Sequence, residues 1–175
     1  MHGIKIIAAV DRNWGIGYEN KLLFHLKEDM RRFRDRTVGN IVVMGRKTLD
    51  SLPGGRPLPE RENIVLTRKN LTEIAEKVRT YGGNLLFMNS VQEVLKYAGN
   101  EVREVYIIGG EEIYREFIGY AEEAFITKVG AEKKADVFFP DLDRLPEWEK
   151  SPLPEKACED GIRYEFVTYC KRSLL

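Results

Sequence analysis

Apolar residues in this chain gather in short unbroken runs separated by stretches of helical spacing. Ile4 to Val10 holds a single Lys, and Ile41 to Met44, Ile64 to Leu66, Leu85 to Met88 and Val105 to Ile108 repeat the pattern. Runs this short and continuous predict strands covered on both faces. Between them, Leu26, Met30 and Phe33 recur at i, i+4 and i+7. Val91, Val94 and Leu95 follow the N-cap residue type Ser90, and Ile113, Phe117 and Ile118 follow Gly109-Gly110. Strands alternating with helices predict an α/β fold with a mostly parallel sheet. The tail breaks this alternation. Ala124 to Val129 and Ile162 to Lys171 read as strands with no helix between them, so an antiparallel C-terminal strand is predicted at one end of the sheet. The Pro- and charge-rich stretch from Lys133 to Asp160 reads as loop with a short strand near Trp148. No internal repeat or linker interrupts the pattern.

At 175 residues and 43% hydrophobic, the chain fits one domain, 1–175, with a real core. Lys plus Arg (28) equals Asp plus Glu (28), which removes the net field that would draw nucleic acid or an anionic membrane. Neither is expected as a partner. Cys158 and Cys170 form no CxxC pair and have no clustered histidines, so neither a disulfide framework nor a metal site is expected. No apolar run approaches the roughly 18–20 residues of a membrane span. The run at Ile4 meets Asp11 and Arg12 at once, unlike a signal peptide. A cytoplasmic location is the expectation.

Chemistry concentrates at strand ends. Ile41 to Met44 runs into Gly45-Arg46-Lys47-Thr48, and Val105 to Ile108 runs into Gly109-Gly110-Glu111-Glu112. At the carboxyl ends of parallel strands such turns either connect tightly to helices or cradle the phosphates of a dinucleotide. No GxxxxGK is present to suggest phosphoryl transfer. A third strand end leads through Thr67 to Arg68-Lys69, with no acid in place for a ribose 2′-hydroxyl, which points to NADP over NAD unless these cations are only solvated.

Asp29 is the most informative residue. At about 100° per residue from Leu26, Met30 falls near 40°, Phe33 near −20° and Asp29 near −60°. One carboxylate therefore lies beside the apolar stripe, either desolvated and ready to protonate a ligand or paired at the boundary with Arg32 or His25. Asp11 to His25, with Trp14-Gly15-Ile16-Gly17 and Glu19-Asn20, lacks clear periodicity. It reads either as a lid with exposed apolar side chains or as a plain loop packing Trp14 into the core. His2 reads as a disordered terminus, and no nucleophile motif accompanies either histidine.

The ordered set of these residues resembles the dihydrofolate reductase family nearly end to end. It comprises Ile4 to Ala9, Trp14 to Gly17 with Glu19-Asn20, Leu26 and Asp29, Val43 to Arg46 with Thr48, Gly55 to Pro59 with Arg61 and Asn63, Ile107 to Gly110 with Tyr114, Thr127, Asp136, and Phe139-Pro140. The resemblance implies an eight-stranded, mostly parallel mixed sheet with helices on both faces, and hydride transfer from NADPH to 7,8-dihydrofolate in tetrahydrofolate biosynthesis and one-carbon metabolism. Asp29 would be the single active-site acid, binding the pterin and supporting protonation at N5. Thr127, Leu22 and Phe24 would complete the catalytic group. Ile7, Ala9, Met30, Phe33, Leu52 and Ile108 would line the substrate pocket, and Arg61 would clamp the α-carboxylate of the glutamate tail. Ala9, Ile16, Gly17, Gly45, Arg46, Lys47, Thr48, Thr67, Arg68, Ile108, Gly109, Gly110, Glu111 and Tyr114 would face the cofactor, with Asp136 meeting the lid. Antifolate inhibitors would occupy the substrate pocket of a monomer.

Two departures stand out. The family commonly has Trp at Phe24, so an ordered water held by the indole N–H loses a partner. It commonly has Pro at Leu23 and Lys27, so their absence predicts a looser lid hinge. A riboflavin-pathway pyrimidine reductase shares the fold and NADPH but predicts no acid at Asp29. A catalytically silent nucleotide-binding module predicts NADPH binding without folate binding.

Overall fold

Alternation within each apolar run decides which layer a side chain joins, because successive strand residues face opposite sides. A computed structural model describes residues 3–68 and 84–172; His2 and Lys69 lie outside the described residues. Six parallel strands form the centre of the sheet, in spatial order β8 (Ala121–Val129), β1 (Ile4–Val10), β7 (Val105–Gly109), β4 (Ile41–Gly45), β5 (Glu62–Leu66) and β6 (Leu85–Met88). On one face Ile41, Val43, Ile64 and Ile107 pack with Val94 of helix α3 (Val91–Ala98) and Phe117 of helix α4 (Glu111–Phe117). On the other, Val42, Met44, Val65 and Tyr106 meet Leu49 of helix α2 (Arg46–Ser51). Helices thus cover both faces, and β4 and β7 at the middle of the sheet carry no charged residue because neither side meets water.

The line continues past β8 into antiparallel strands. β12 (Ile162–Lys171) pairs with β8, and β10 (Trp148–Lys150) and β11 (Glu155–Glu159) share its outer edge. The line β10-β12-β8-β1-β7-β4-β5-β6 is eight strands long, with β11 a ninth beside β12. The Lys133 to Asp160 stretch therefore carries more strand than its composition predicts. Its strands are short and polar because only one face of each is covered.

The segment from Asp11 to His25 also differs from expectation. It forms a hairpin, β2 (Gly15–Tyr18) and β3 (Lys21–Leu22), and β9 (Val137–Phe138) adds a third strand on β2. Trp14 packs into the core, as the second of the two readings has it, and Ile16, Leu23 and Phe24 are buried too; Leu22 alone among its large apolar residues is open to solvent. Trp14 stacks on Phe139 with ring centroids 6.0 Å apart. The hairpin thus has a packed underside.

Helix α1 (Lys27–Thr37) covers β8 and β12 through its arginines, Arg36 lying 3.7 Å from the Phe125 ring centroid and Arg32 3.8 Å from that of Phe166. Its apolar stripe does not close onto a core. Leu26 is buried, Phe33 is half-buried, and Met30 is 45% exposed. A stripe left open at the carboxyl ends of parallel strands borders a cleft where ligands of such sheets bind.

Candidate active site

Asp29 occupies the first turn of α1, and Thr127 on β8 turns toward it. The Thr127 hydroxyl donates to Asp29 Oδ1 at 2.5 Å. Register brings the pair together, since Thr127 lies opposite Ala9 of β1 and Phe166 of β12. Burial pushes the Asp29 carboxyl above its ordinary range, while the Thr127 hydrogen bond opposes that shift. Of the two boundary partners that the sequence suggested, Arg32 pairs instead with Glu28, at 3.3 Å from Nε, and with Glu155 through Nη2, and His25 is exposed. A cavity of about 190 Å³ reaches Ile7, Asp29, Phe33 and Thr127 from beneath α1, extending to Arg32 and Ser151.

The other apolar residues expected around a substrate sit close by. Ile7, Leu52 and Ile108 are partly buried and pack on one cluster under the cleft. Arg61 stands at the far end of α1. Its Nε donates to the Pro59 carbonyl at 2.8 Å and its Nη1 to Thr37 Oγ1 at 3.0 Å. Burial, then the charge of Arg34, lowers its pKa from the ordinary guanidinium value. Asp29 and Thr37 are two helical turns apart, about 12 Å at 1.5 Å per residue. One acid and one immobilised cation therefore stand at opposite ends of an apolar trough.

On the cofactor side the two glycine turns lean on each other. Gly45 and Gly110 begin α2 and α4, and no side chain caps either helix. A Cβ at Gly45 would lie 3.1 Å from Ile113 Cγ1, one at Gly109 3.2 Å from Tyr114 Cε2, and one at Gly110 3.5 Å from Thr48 Oγ1. Gly109 also has φ +120°, open in practice to glycine alone. Bare backbone keeps these strand ends accessible, the arrangement a pyrophosphate requires. Arg46 is half-buried beside Gly45, Lys47 is exposed and Thr67 is buried. Arg68 is extended into solvent with Nη2 on Glu116 at 2.9 Å, and Glu111 pairs with Arg115 at 2.9 Å. Tyr114 is a strut: its hydroxyl donates to the Ile7 carbonyl at 2.8 Å. Burial, and then the charge of Asp29, raises its pKa.

The hairpin meets the site from above. Ile16 and Gly17 lie on β2, and Gly17 faces Leu22. Asp136 Oδ2 accepts from the Glu19 amide at 2.9 Å, and the Asp136 amide donates to the Gly17 carbonyl at 3.0 Å. Sequence reasoning missed Asp11, whose buried carboxylate accepts from the amides of Asn13 (2.8 Å), Gly15 (2.8 Å) and Lys133 (3.2 Å). An Asp two residues before Asn13 and four before Gly15 is a turn signal that would have found it. Phe24 packs with Leu23, Leu26 and Tyr164, and the Lys133 ammonium sits 4.5 Å from its ring centroid. The hinge is also tied where prolines are missing. Lys133 Nζ donates to the Leu23 carbonyl at 2.6 Å, and the Lys27 amide donates to Glu159 at 2.9 and 3.1 Å. A proline at position 27 would lack the amide that makes the bonds to Glu159.

The sequence and fold match known proteins. The dihydrofolate reductase family model matches residues 3–171. The dihydrofolate reductase of Neisseria gonorrhoeae is 34% identical over 168 residues, covering 95% of this chain and 96% of that one. That of Neisseria meningitidis serogroup B is 36% identical over 170 residues, covering 96% and 98%. The bifunctional dihydrofolate reductase-thymidylate synthase of Paramecium tetraurelia is 31% identical over 163 residues, and the chain spans 33% of its length. Among solved structures, the dihydrofolate reductase of Enterococcus faecalis complexed with NADP(H) and RAB-propyl superposes with a TM-score of 0.84 at 30% identity, over 98% of this chain and 97% of that one. The family model spans nearly the whole chain and full-length relatives exceed 30% identity, and the chain belongs to the dihydrofolate reductase family.

Proposed function

We infer that the protein reduces 7,8-dihydrofolate to 5,6,7,8-tetrahydrofolate with NADPH. The observation that carries this reading is the desolvated Asp29 carboxyl held by Thr127 beside the open apolar stripe of α1. NADPH supplies a hydride when bound, and Gly45, Arg46, Thr48, Gly109 and Gly110 form a backbone-lined cradle that suits its phosphates. The chain's own part is to bind and protonate. Ionised Asp29 accepts from the 2-amino group and N3 side of the pterin, and in its protonated form it is the local proton source for N5 as hydride reaches C6. Its raised pKa keeps a larger protonated fraction near neutrality than an ordinary carboxyl would. Arg61, fixed in orientation by Pro59 and Thr37, takes the α-carboxylate of the glutamate tail. Leu22, exposed on the hairpin, closes over the reacting rings with Ile16 and Gly17.

Burying an acid costs stability, so its retention favours a catalytic site over a silent binding module. A pyrimidine reductase has no use for it at this place. Residues 1–175 act as one domain, monomeric and cytoplasmic, and the substrate trough also takes antifolate inhibitors. The direct test is the fall of NADPH absorbance when dihydrofolate is added to pure protein. No turnover, with NADPH bound, would reject the assignment.

A further inference from the structure

Helix α1 starts without a cap of its own. Its N-cap residue is Leu26, which has no side-chain oxygen. Two devices ordinarily satisfy a first turn: an Asp, Ser or Thr at the N-cap, and an acid at the third helical position reaching back to the N-cap amide. Here the residue at that third position is Asp29, and its carboxylate is committed to Thr127. Another open amide of this first turn is served from 132 residues away: both oxygens of Glu159, the last residue of β11, accept from the Lys27 amide at 2.9 and 3.1 Å. Glu155, at the other end of the same strand, pairs with Arg32 one turn further along. β11 therefore clasps the helix on both sides of Asp29.

We propose that Glu159 is a positioning residue for the reductase reaction: by holding the Lys27 amide it keeps the first turn of α1 wound and Asp29 seated against Thr127. This rests on the reading of Asp29 as the active-site acid. Glu159 touches no reacting atom. Its carboxylate stands at the positive end of the helix, so charge and hydrogen bond act together. Around Asp29 stand Thr127 on β8, which bonds it, Tyr114 on α4 and Tyr164 on β12, which feel its charge, and Arg32, Arg36 and Glu155, which line the same cavity. Glu159 is none of these groups, although its charge also acts on Tyr164.

Lys27 offers a decisive control. It is the first helical residue, where proline is well tolerated, and Leu26 before it has ψ 124°, which proline allows. Lys27→Pro removes the N–H that Glu159 serves and winds the turn by fixing φ instead. The experiment measures single-turnover hydride transfer against pH, kcat/KM for dihydrofolate and Kd for NADPH in wild type, Glu159→Ala, Lys27→Pro and the double variant. Glu159→Ala is expected to lower kcat/KM by about 3–30-fold, the range of a lost helix cap. The midpoint of the pH profile should move to lower pH as Asp29 becomes better solvated, with NADPH affinity unchanged. Lys27→Pro should stay near wild type, and in that background Glu159→Ala should lose most of its effect, leaving only the small part that its charge contributes. Glu159→Gln, which keeps one acceptor oxygen, should show a smaller loss that Lys27→Pro likewise largely removes, and it decides the matter if the Ala variant does not fold. An active wild type whose rate and pH midpoint ignore Glu159→Ala overturns this inference alone. So does an equal loss in the presence and absence of Lys27→Pro. A wild type inactive on dihydrofolate overturns the reading of Asp29 and this inference with it.

Discussion

Burial and the hydrogen bond from Thr127 separate Asp29 from an ordinary surface acid, and two predictions test what that residue does. Burial holds its pKa above the unfolded value, so between the two values the folded state binds more protons than the unfolded chain. Stability accordingly falls as pH rises through that window, and the deficit persists above it. Asp29→Asn removes the deficit while keeping an acceptor for the Thr127 hydroxyl. The variant should melt higher than wild type at neutral pH, with the gap closing in acid below the usual carboxylate range, and calorimetry against pH checks the sign. The same change should cost about 10²–10⁴-fold in hydride transfer at neutral pH, the usual worth of general-acid assistance, with partial recovery toward acid. Arg61 is tested separately. Arg61→Ala should weaken methotrexate, which carries a glutamate tail, by about 10–100-fold, the equivalent of a charge-assisted pair, and leave tail-less trimethoprim nearly unchanged. Equal losses for both would mean that its bonds to Pro59 and Thr37 are its whole role.

Elements, rather than side chains, shape the cofactor side. The end of β7 and the start of α4 approach so closely that Gly109→Ala would place a Cβ 3.2 Å from Tyr114 Cε2 at φ +120°. Such backbone strain costs about 1–3 kcal/mol. Thermal melts and NADPH titrations of Gly109→Ala should both show losses, because Tyr114 must move off the Ile7 carbonyl and disturb the cleft floor. The hairpin β2-β3 shows how far elements are legible in sequence. Its strands are two and four residues long and take their third partner, β9, from residues 137–138. No period can be read from strands so short. The runs that became β1, β4, β5 and β7 were readable because burial on both faces makes nearly every residue in them apolar.

For the whole molecule, a ligand that binds only the folded state stabilises it by mass action. NADPH at a hundred times its Kd adds about 2.7 kcal/mol. In a chain of this size that corresponds to a rise in Tm of roughly 5–10 °C. NADH at the same concentration should give a clearly smaller rise, because Arg46, and Arg68 once it leaves Glu116, would meet the 2′-phosphate. Equal shifts for the two cofactors in parallel melts would show that neither arginine reads that phosphate.

What the sequence determined by itself is what depends on neighbours along the chain. It specified strand runs, helix spacing, the glycine turns at two strand ends, and the angle that puts Asp29 beside Leu26, Met30 and Phe33. Tertiary structure decided the rest. Met30 lies on the stripe yet stays 45% exposed, because α1 rests on β8 and β12 through its arginines and leaves that stripe over a cleft. Thr127 is 98 residues from Asp29 and Glu159 is 132 from Lys27. Such pairs exist only once sheet register has placed β8 beside β1 and β11 beside β12. Periodicity and turn chemistry act over a few residues, whereas register is set by burial across the whole sheet, and these long-range partners follow from the latter.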